Sequence, residues 1–202
     1  MKYRNNIEEV AQLRPDYLGF IFYEKSSRFF EGRIPEIPKS IKKVGVFVNA
    51  SLDYILEKIE THHLQVVQLH GNESVEFCRS LKRKHIEIIK VFSIKDVFDF
   101  SALKRYEDVC DYFLFDTKGK LPGGNGYTFN WTILNHYPST KPFFLSGGIG
   151  LNELINIKKI KNSEASKYCY ALDVNSKFEI KPGLKNIEKL ETFKTSVTSS
   201  DF

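Results

Sequence analysis

The chain has 202 residues, 42% of them apolar and 27% charged, with a net charge of +5 spread over scattered lysines that are densest at Lys82-Arg83-Lys84. This balance describes one folded domain with room for a sizeable core, and it excludes a disordered chain or a membrane span of roughly 18 apolar residues. Three cysteines without a C-x-x-C pair argue against disulfides and zinc, and the absence of a basic, aromatic-interleaved stripe argues against a nucleic-acid partner.

The elements follow in chain order. The start, Met1-Lys2-Tyr3-Arg4-Asn5-Asn6, has no apolar signal core, so the protein reads as cytoplasmic. A first helix is predicted over Asn5–Leu13, with Asn5 as cap and Ile7, Val10 and Ala11 on one face. A strand over Tyr17–Phe22 leads to Lys25-Ser26-Ser27-Arg28, where Arg28 is a candidate carboxylate clamp or an ordinary surface arginine. After a strand over Val44–Val48, Ser51 opens a helix to Glu60 with Leu52, Ile55, Leu56 and Ile59 on one face.

The strand Val66–Leu69 runs into His70-Gly71. Gln68 and His70 share a face by alternation and are candidate pocket residues, with a hydrogen-bonded structural histidine as the bland reading. A helix over Ser74–Lys82 precedes a strand over Ile86–Phe92. There Lys90 is either a pocket-lining lysine or a satisfied charge in the barrel interior. Asp116 ends the strand Tyr112–Phe115; at that end of a barrel strand a carboxylate reads as catalytic, with a helix N-cap or loop carboxylate as an equal alternative. The Gly123-Gly124-Asn125-Gly126 loop can approach a ligand closely, and Gly124 is a candidate lining residue, although a plain turn is the better reading of any single glycine there.

Strands over Phe143–Leu145 and Tyr168–Val174 flank a helix over Leu151–Ile160, and a last helix covers Asn186–Lys194. Residues 1–194 form one barrel domain in this reading, and 195–202 a disordered tail. Strands alternating with helices imply βαβ units and a parallel sheet. The last two strands end in Gly147-Gly148 and in Asn175-Ser176-Lys177, one βα unit apart. Paired loops of that kind build the phosphate site of a (β/α)8 barrel from backbone N–H groups, with Lys177 as an added charge. The predicted ligand is therefore a phosphorylated small molecule. Seven strands are visible behind an opening helix, so a (β/α)8 barrel needs a first strand upstream of Met1.

The chain resembles the phosphoribosylanthranilate isomerase family of tryptophan biosynthesis. The stretches that carry the resemblance are Asp16–Phe22, Lys25–Arg28, Val44–Asn49, Val67–Gly71, Leu114–Lys118, Gly123–Trp131, Leu145–Gly148 and Leu172–Ser176, in family order. The resemblance implies an Amadori rearrangement of N-(5-phosphoribosyl)anthranilate to 1-(2-carboxyphenylamino)-1-deoxyribulose 5-phosphate, without metal or organic cofactor. It implies Asp116 as general acid, Arg28 on the anthranilate carboxylate, and Gly147, Gly148 and Ser176 on the phosphate. It also implies that the general base is a cysteine ending strand one, a stretch this sequence does not contain.

None of Cys78, Cys110 and Cys169 maps to that position. The chain as written is thus expected to be poorly active, since losing a general base costs about 10²–10⁴-fold in rate. Ser27 stands where the family often has Pro, Asn130 where Asp is common, and Lys177 where Gly is usual. Two alternatives remain. One is another phosphosugar isomerase, a class that leans on paired aspartates, whereas no second partner for Asp116 is assigned here. The other is a non-catalytic relic that keeps the phosphate site. A monomer is the expected state.

Overall fold

The computed structural model describes residues 1–94, 97–117 and 131–199. Seven strands form one parallel sheet in sequence order: β1 (Tyr17–Ile21), β2 (Lys42–Phe47), β3 (Val66–Leu69), β4 (Glu87–Ile94), β5 (Tyr112–Thr117), β6 (Phe143–Leu145) and β7 (Cys169–Leu172). The helices are α1 (Arg4–Gln12), α2 (Leu52–His62), α3 (Val75–Lys82), α4 (Leu154–Lys161) and α5 (Ile187–Thr198). This is the α/β arrangement of a (β/α)8 barrel. Among the described residues no ladder joins β7 back to β1. The two edges approach each other where the Tyr17 and Tyr170 hydroxyls hydrogen-bond at 3.3 Å.

Alternation sorts the side chains into two cores. Val44, Val46, Val66, Ile89, Val91, Leu114 and Phe144 fill the barrel interior, with Tyr17, Ile21, Tyr112 and Ala171 against them. The residues between them in sequence, such as Phe20, Phe47, Val67, Leu69, Ile88, Phe113 and Phe115, pack outward under Ile7, Ile55, Leu81 and Phe193 of the helices. A sheet buried on both faces requires such near-continuous apolar strands.

The helix ends have local causes. Ser51 and Ser74 accept from the backbone N–H of Tyr54 and Phe77 and so cap α2 and α3. Asn186 does the same for α5 through Lys189 N–H. The predicted Asn5 cap is absent, because α1 begins one residue earlier, behind Tyr3, which makes no side-chain cap. Helix α5 runs to Thr198, into the stretch that reads as a tail. There Ser196 and Thr198 hydroxyls bond carbonyls one turn back, while Phe193 is buried.

Two features go beyond the elements predicted from the sequence. Short 3-10 turns (Phe100–Tyr106 and Trp131–His136) replace full helices before β5 and β6. A hairpin of β8 (Glu179–Lys181) and β9 (Leu184–Lys185) turns about Pro182-Gly183, with Gly183 at φ 82°. The hairpin is tied to the start of the chain. The Asn6 side chain donates to the Lys185 carbonyl at 2.9 Å and accepts from its N–H at 2.7 Å, in a buried position.

Asn6→Ala leaves both buried Lys185 backbone groups unpaired. The expected cost is about 2–4 kcal/mol of unfolding free energy in urea titrations, and a loss within experimental error would show that this clamp is dispensable.

Candidate active site

A cavity of about 1000 Å³ opens at the C-terminal ends of the strands and continues down between β1 and β7 to Tyr17, Phe144 and Ala171. Its polar lining follows from the same alternation that builds the interior core. Gln68, Asp116, Ser146 and Asp173 continue the inward rows of β3, β5, β6 and β7, and all four line the cavity, as does His70. The ladders hold them in place. His70 N–H donates to the Phe47 carbonyl, Ser146 N–H to Phe115 and Asp173 N–H to Leu145, at 2.8, 2.9 and 2.8 Å.

At the centre, His70 Nε2 lies 3.4 Å from Asp116 Oδ2. Gln68 Nε2 approaches His70 Nδ1 at the same 3.4 Å, so the imidazole sits between an amide and a carboxylate. The loop carrying His70 is fixed from below. Glu73 accepts from the backbone N–H of Asn49 at 2.9 Å and of Gly71 at 3.1 and 3.0 Å. Gly71 is required there by close approach, since a Cβ on it would lie 2.4 Å from Asn49 Oδ1.

Lys90 does not line this cavity, which corrects both sequence readings of it. Its neighbours Ile89 and Val91 point inward, so Lys90 points outward beneath the helices. There its ammonium bonds Glu73 Oε2 at 3.0 Å and the Gly71 carbonyl at 2.8 Å, with the side chains only 4% and 2% exposed. A buried charge needs such a partner.

Asp173, unassigned in the sequence reading, stands close enough to Asp116 to feel its field. Burial pushes its carboxyl above the ordinary carboxylate range and Asp116 adds to this, while the Ser146 hydroxyl at 3.1 Å and the Lys185 charge oppose it. The signal was available: a carboxylate ending an apolar strand is the same evidence that singled out Asp116.

Arg28 reaches the cavity, but not as a free guanidinium. Its Nε and Nη2 engage the Glu179 carboxylate at 2.9 and 2.6 Å. Burial alone would raise the Glu179 carboxyl. Hydrogen bonds from Arg28, the Lys185 charge and Gly183 N–H outweigh it and hold the group below its usual value. Lys185 donates to Glu179 at 3.1 Å and to the Asn175 carbonyl at 3.1 Å.

Gly147, Gly148, Asn175 and Ser176 all line the cavity. Gly147 and Gly148 have φ of 88° and 69°, in the left-handed region that glycine tolerates. Among the described residues the amides of Gly147, Gly148 and Ser176 carry no hydrogen bond. Lys177 is exposed and packs against Gly150, outside the lining, so the lysine beside this loop is Lys185 instead. Gly124, with Lys118, Gly123, Gly126 and Asn130, lies outside the described residues.

Burial pushes the thiols of Cys78, Cys110 and Cys169 up to about 11, 12 and 11, which leaves them protonated at neutral pH and unsuited to proton abstraction. Among the described residues no cluster of His, Cys, Asp and Glu has the geometry to hold a metal ion.

The family model for N-(5'-phosphoribosyl)anthranilate (PRA) isomerase matches residues 2–195. The isomerase of Parabacteroides distasonis is 45% identical, over 96% of this chain and 88% of its own. That of Phocaeicola vulgatus is 41% identical, over 96% and 92%. Among solved structures, the Thermotoga maritima enzyme superposes with a TM-score of 0.81 at 28% identity, covering 97% of this chain and 94% of its own. A second phosphoribosylanthranilate isomerase structure, solved with reduced 1-(o-carboxyphenylamino)-1-deoxyribulose 5-phosphate, gives 0.73 at 26% identity, over 93% and 90%.

The raised Asp173 carboxyl has a pH signature. The folded chain holds this proton to higher pH than the unfolded chain does, so stability falls as pH rises from about 3.9 through the folded value. Asp173→Asn removes that loss. Its gain in unfolding free energy over the parent is expected to be absent at the acid end of this window and to grow across it. A difference that stays flat between pH 4 and 8 (about the ordinary titration range) would falsify the assignment.

Proposed function

The chain belongs to the N-(5'-phosphoribosyl)anthranilate isomerase family of tryptophan biosynthesis, and from that premise we propose how its own residues divide the rearrangement. The single observation that carries the reading is the convergence of Asp116, the Arg28 fork and the unspent loop amides on one cavity.

The phosphate of the substrate docks on the amides of Gly147, Gly148 and Ser176, where N–H groups favour an anion without a side-chain charge. Its anthranilate carboxylate meets Arg28. Asp116 then delivers a proton to the ribose ring oxygen. The C1–O bond breaks and the anilino nitrogen lone pair forms the C=N bond of an open-chain iminium. A base next takes the proton from sugar C2, giving the enolamine, and its ketonisation yields the 1-amino-1-deoxyketose. His70, set between Gln68 and Asp116, keeps the Asp116 carboxyl oriented.

The family resemblance assigns the base to a cysteine ending strand one. We place that thiol in the cleft between β1 and β7, where the cavity continues, no strand joins the two edges among the described residues, and the Met1 ammonium donates to the Gly19 carbonyl of β1 at 2.7 Å. No helix among the described residues is long and apolar enough to cross a membrane. A cytoplasmic, monomeric enzyme that uses no metal and no organic cofactor completes the reading.

The first test compares this chain with one extended at its N-terminus by a strand ending in Cys-Gly, following loss of the substrate's fluorescence. The extended chain is expected to turn over about 10²–10⁴-fold faster. Full activity of residues 1–202 alone would defeat the base assignment. Inactivity of both chains, each shown to be folded, would point to the phosphate-binding relic.

In the extended chain, Asp116→Asn is expected to lower kcat by about 10²–10⁴-fold with little change in KM. An unchanged kcat would remove Asp116 from the acid role.

A further inference from the structure

We propose that Glu179, itself held by Lys185, is the positioning residue that aims Arg28 at the substrate's aromatic carboxylate. This rests on the reading of Arg28 as the carboxylate clamp, and it says what makes that clamp work.

Arg28 lies on the long, helix-free connection between β1 and β2, where its N–H donates to Ser26 Oγ at 3.1 Å and Phe30, two residues on, is buried in the core. An arginine on such a loop would ordinarily sample many rotamers and lose that freedom on binding. Here the freedom is already gone. Glu179 takes the side-on edge of the guanidinium, with Nε 3.0 and 2.9 Å from its two oxygens and Nη2 2.6 Å from one of them.

A guanidinium carries five N–H groups: one on Nε and two on each Nη. The side-on pairing spends Nε–H and one Nη2–H. The end-on edge, formed by Nη1 and the other Nη2–H, keeps the two-pronged geometry that matches a carboxylate. Among the described residues no acceptor meets Nη1. The clamp is thus half-used, and the unused half is fixed in direction.

Glu179 is fixed in turn. Gly183 N–H at 2.9 Å and Lys185 Nζ at 3.1 Å both donate to its Oε1. The hairpin that carries both donors is clamped at Lys185 by Asn6. All lone pairs of this carboxylate that face the protein are occupied, so it is not a spare general base. Lys185 also donates to the carbonyl and side chain of Asn175, in the phosphate loop. One run of contacts, Arg28–Glu179–Lys185–Asn175, therefore spans from the carboxylate end of the cavity to its phosphate end.

Arg28, Glu179 and Lys185 have side chains only 15%, 4% and 8% exposed, so the guanidinium meets its partners in a largely dry place, where a misaimed ion is costly.

The test is binding by calorimetry, so it does not depend on turnover. The probes are reduced 1-(o-carboxyphenylamino)-1-deoxyribulose 5-phosphate, the same molecule without the ring carboxyl, and inorganic phosphate. The full chain is expected to bind the carboxylated ligand about 10–100-fold more tightly than its decarboxylated partner. Glu179→Gln is expected to cut that preference about tenfold while changing the affinities for the decarboxylated ligand and for phosphate little. Arg28→Ala is expected to abolish the preference.

If Arg28→Ala abolishes it and Glu179→Gln leaves it intact, Arg28 remains the clamp and the positioning role is overturned. If Arg28→Ala also leaves it intact, the clamp reading itself fails. Should Glu179→Gln not fold, nitrogen-15 NMR of the unmodified chain decides. The Arg28 Nε–H is expected to exchange slowly with solvent before any ligand is added. Exchange as fast as that of a surface arginine overturns the proposal.

Discussion

A parallel sheet buried on both faces leaves a polar side chain few places to go. Along the strands the apolar inward positions join one core and the apolar outward positions the other. Polar groups are tolerated where the strands end and water can enter, or where a partner is built in. Nearly everything functional in this chain follows from that constraint. The inward rows of β3, β5, β6 and β7 turn polar together at their C-terminal ends, at Gln68, Asp116, Ser146 and Asp173. The outward rows are mostly apolar; Lys90 is their buried charge, and there Glu73 and three main-chain carbonyls surround the ammonium.

The Lys90–Glu73 pair shows how a structural charge serves the site without entering it. Glu73 spends one oxygen on the lysine and on Gly71 N–H, and the other on the N–H groups of Asn49 and Gly71. Those backbone positions end β2 and open the loop after β3, which carries His70. The buried pair therefore sets the height of the imidazole beside Asp116. Burying two charges brings little net stability, so a role in fixing geometry accounts for the pair better than a role in strength.

Period-2 apolar runs made the strands legible almost residue by residue: β3 occupies Val66–Leu69 as the pattern predicts, and β6 occupies Phe143–Leu145. Ser51 marked its helix start correctly and Asn5 did not, while Ser74 and Asn186, where two other predicted helices begin, cap them in the structure. What escaped was whatever depends on distant partners. The direction of Lys90 turns on which neighbours are inward, and a lone lysine in an apolar run does not say. The importance of Glu179 and Lys185 arises from Arg28 and Asn6, far away in sequence, although Pro182-Gly183 between two short alternating stretches was a readable hairpin signal. Helix α5 outruns its Ser/Thr-rich composition because hydroxyls satisfy carbonyls one turn back. A composition rule built on helix propensity alone does not count those bonds.

On the proposed reading, the distribution of charge around the cavity explains how the loops at Gly147-Gly148 and Ser176 can take a phosphate without a free lysine. Lys177, at the position where the family usually has Gly, is exposed and turned away. Lys185 is near the loop, but its ammonium is committed to Glu179 and Asn175. A phosphate arriving there meets dipoles rather than a free cation, and amides at Gly147, Gly148 and Ser176 hold an anion at fixed geometry with no rotamer entropy to lose. A lysine free to swing into the cavity would add attraction but also a flexible, mobile charge beside Asp116, the proposed acid. Keeping cations in the buried tie, and amides at the phosphate, separates the task of binding two negative charges from the task of moving a proton.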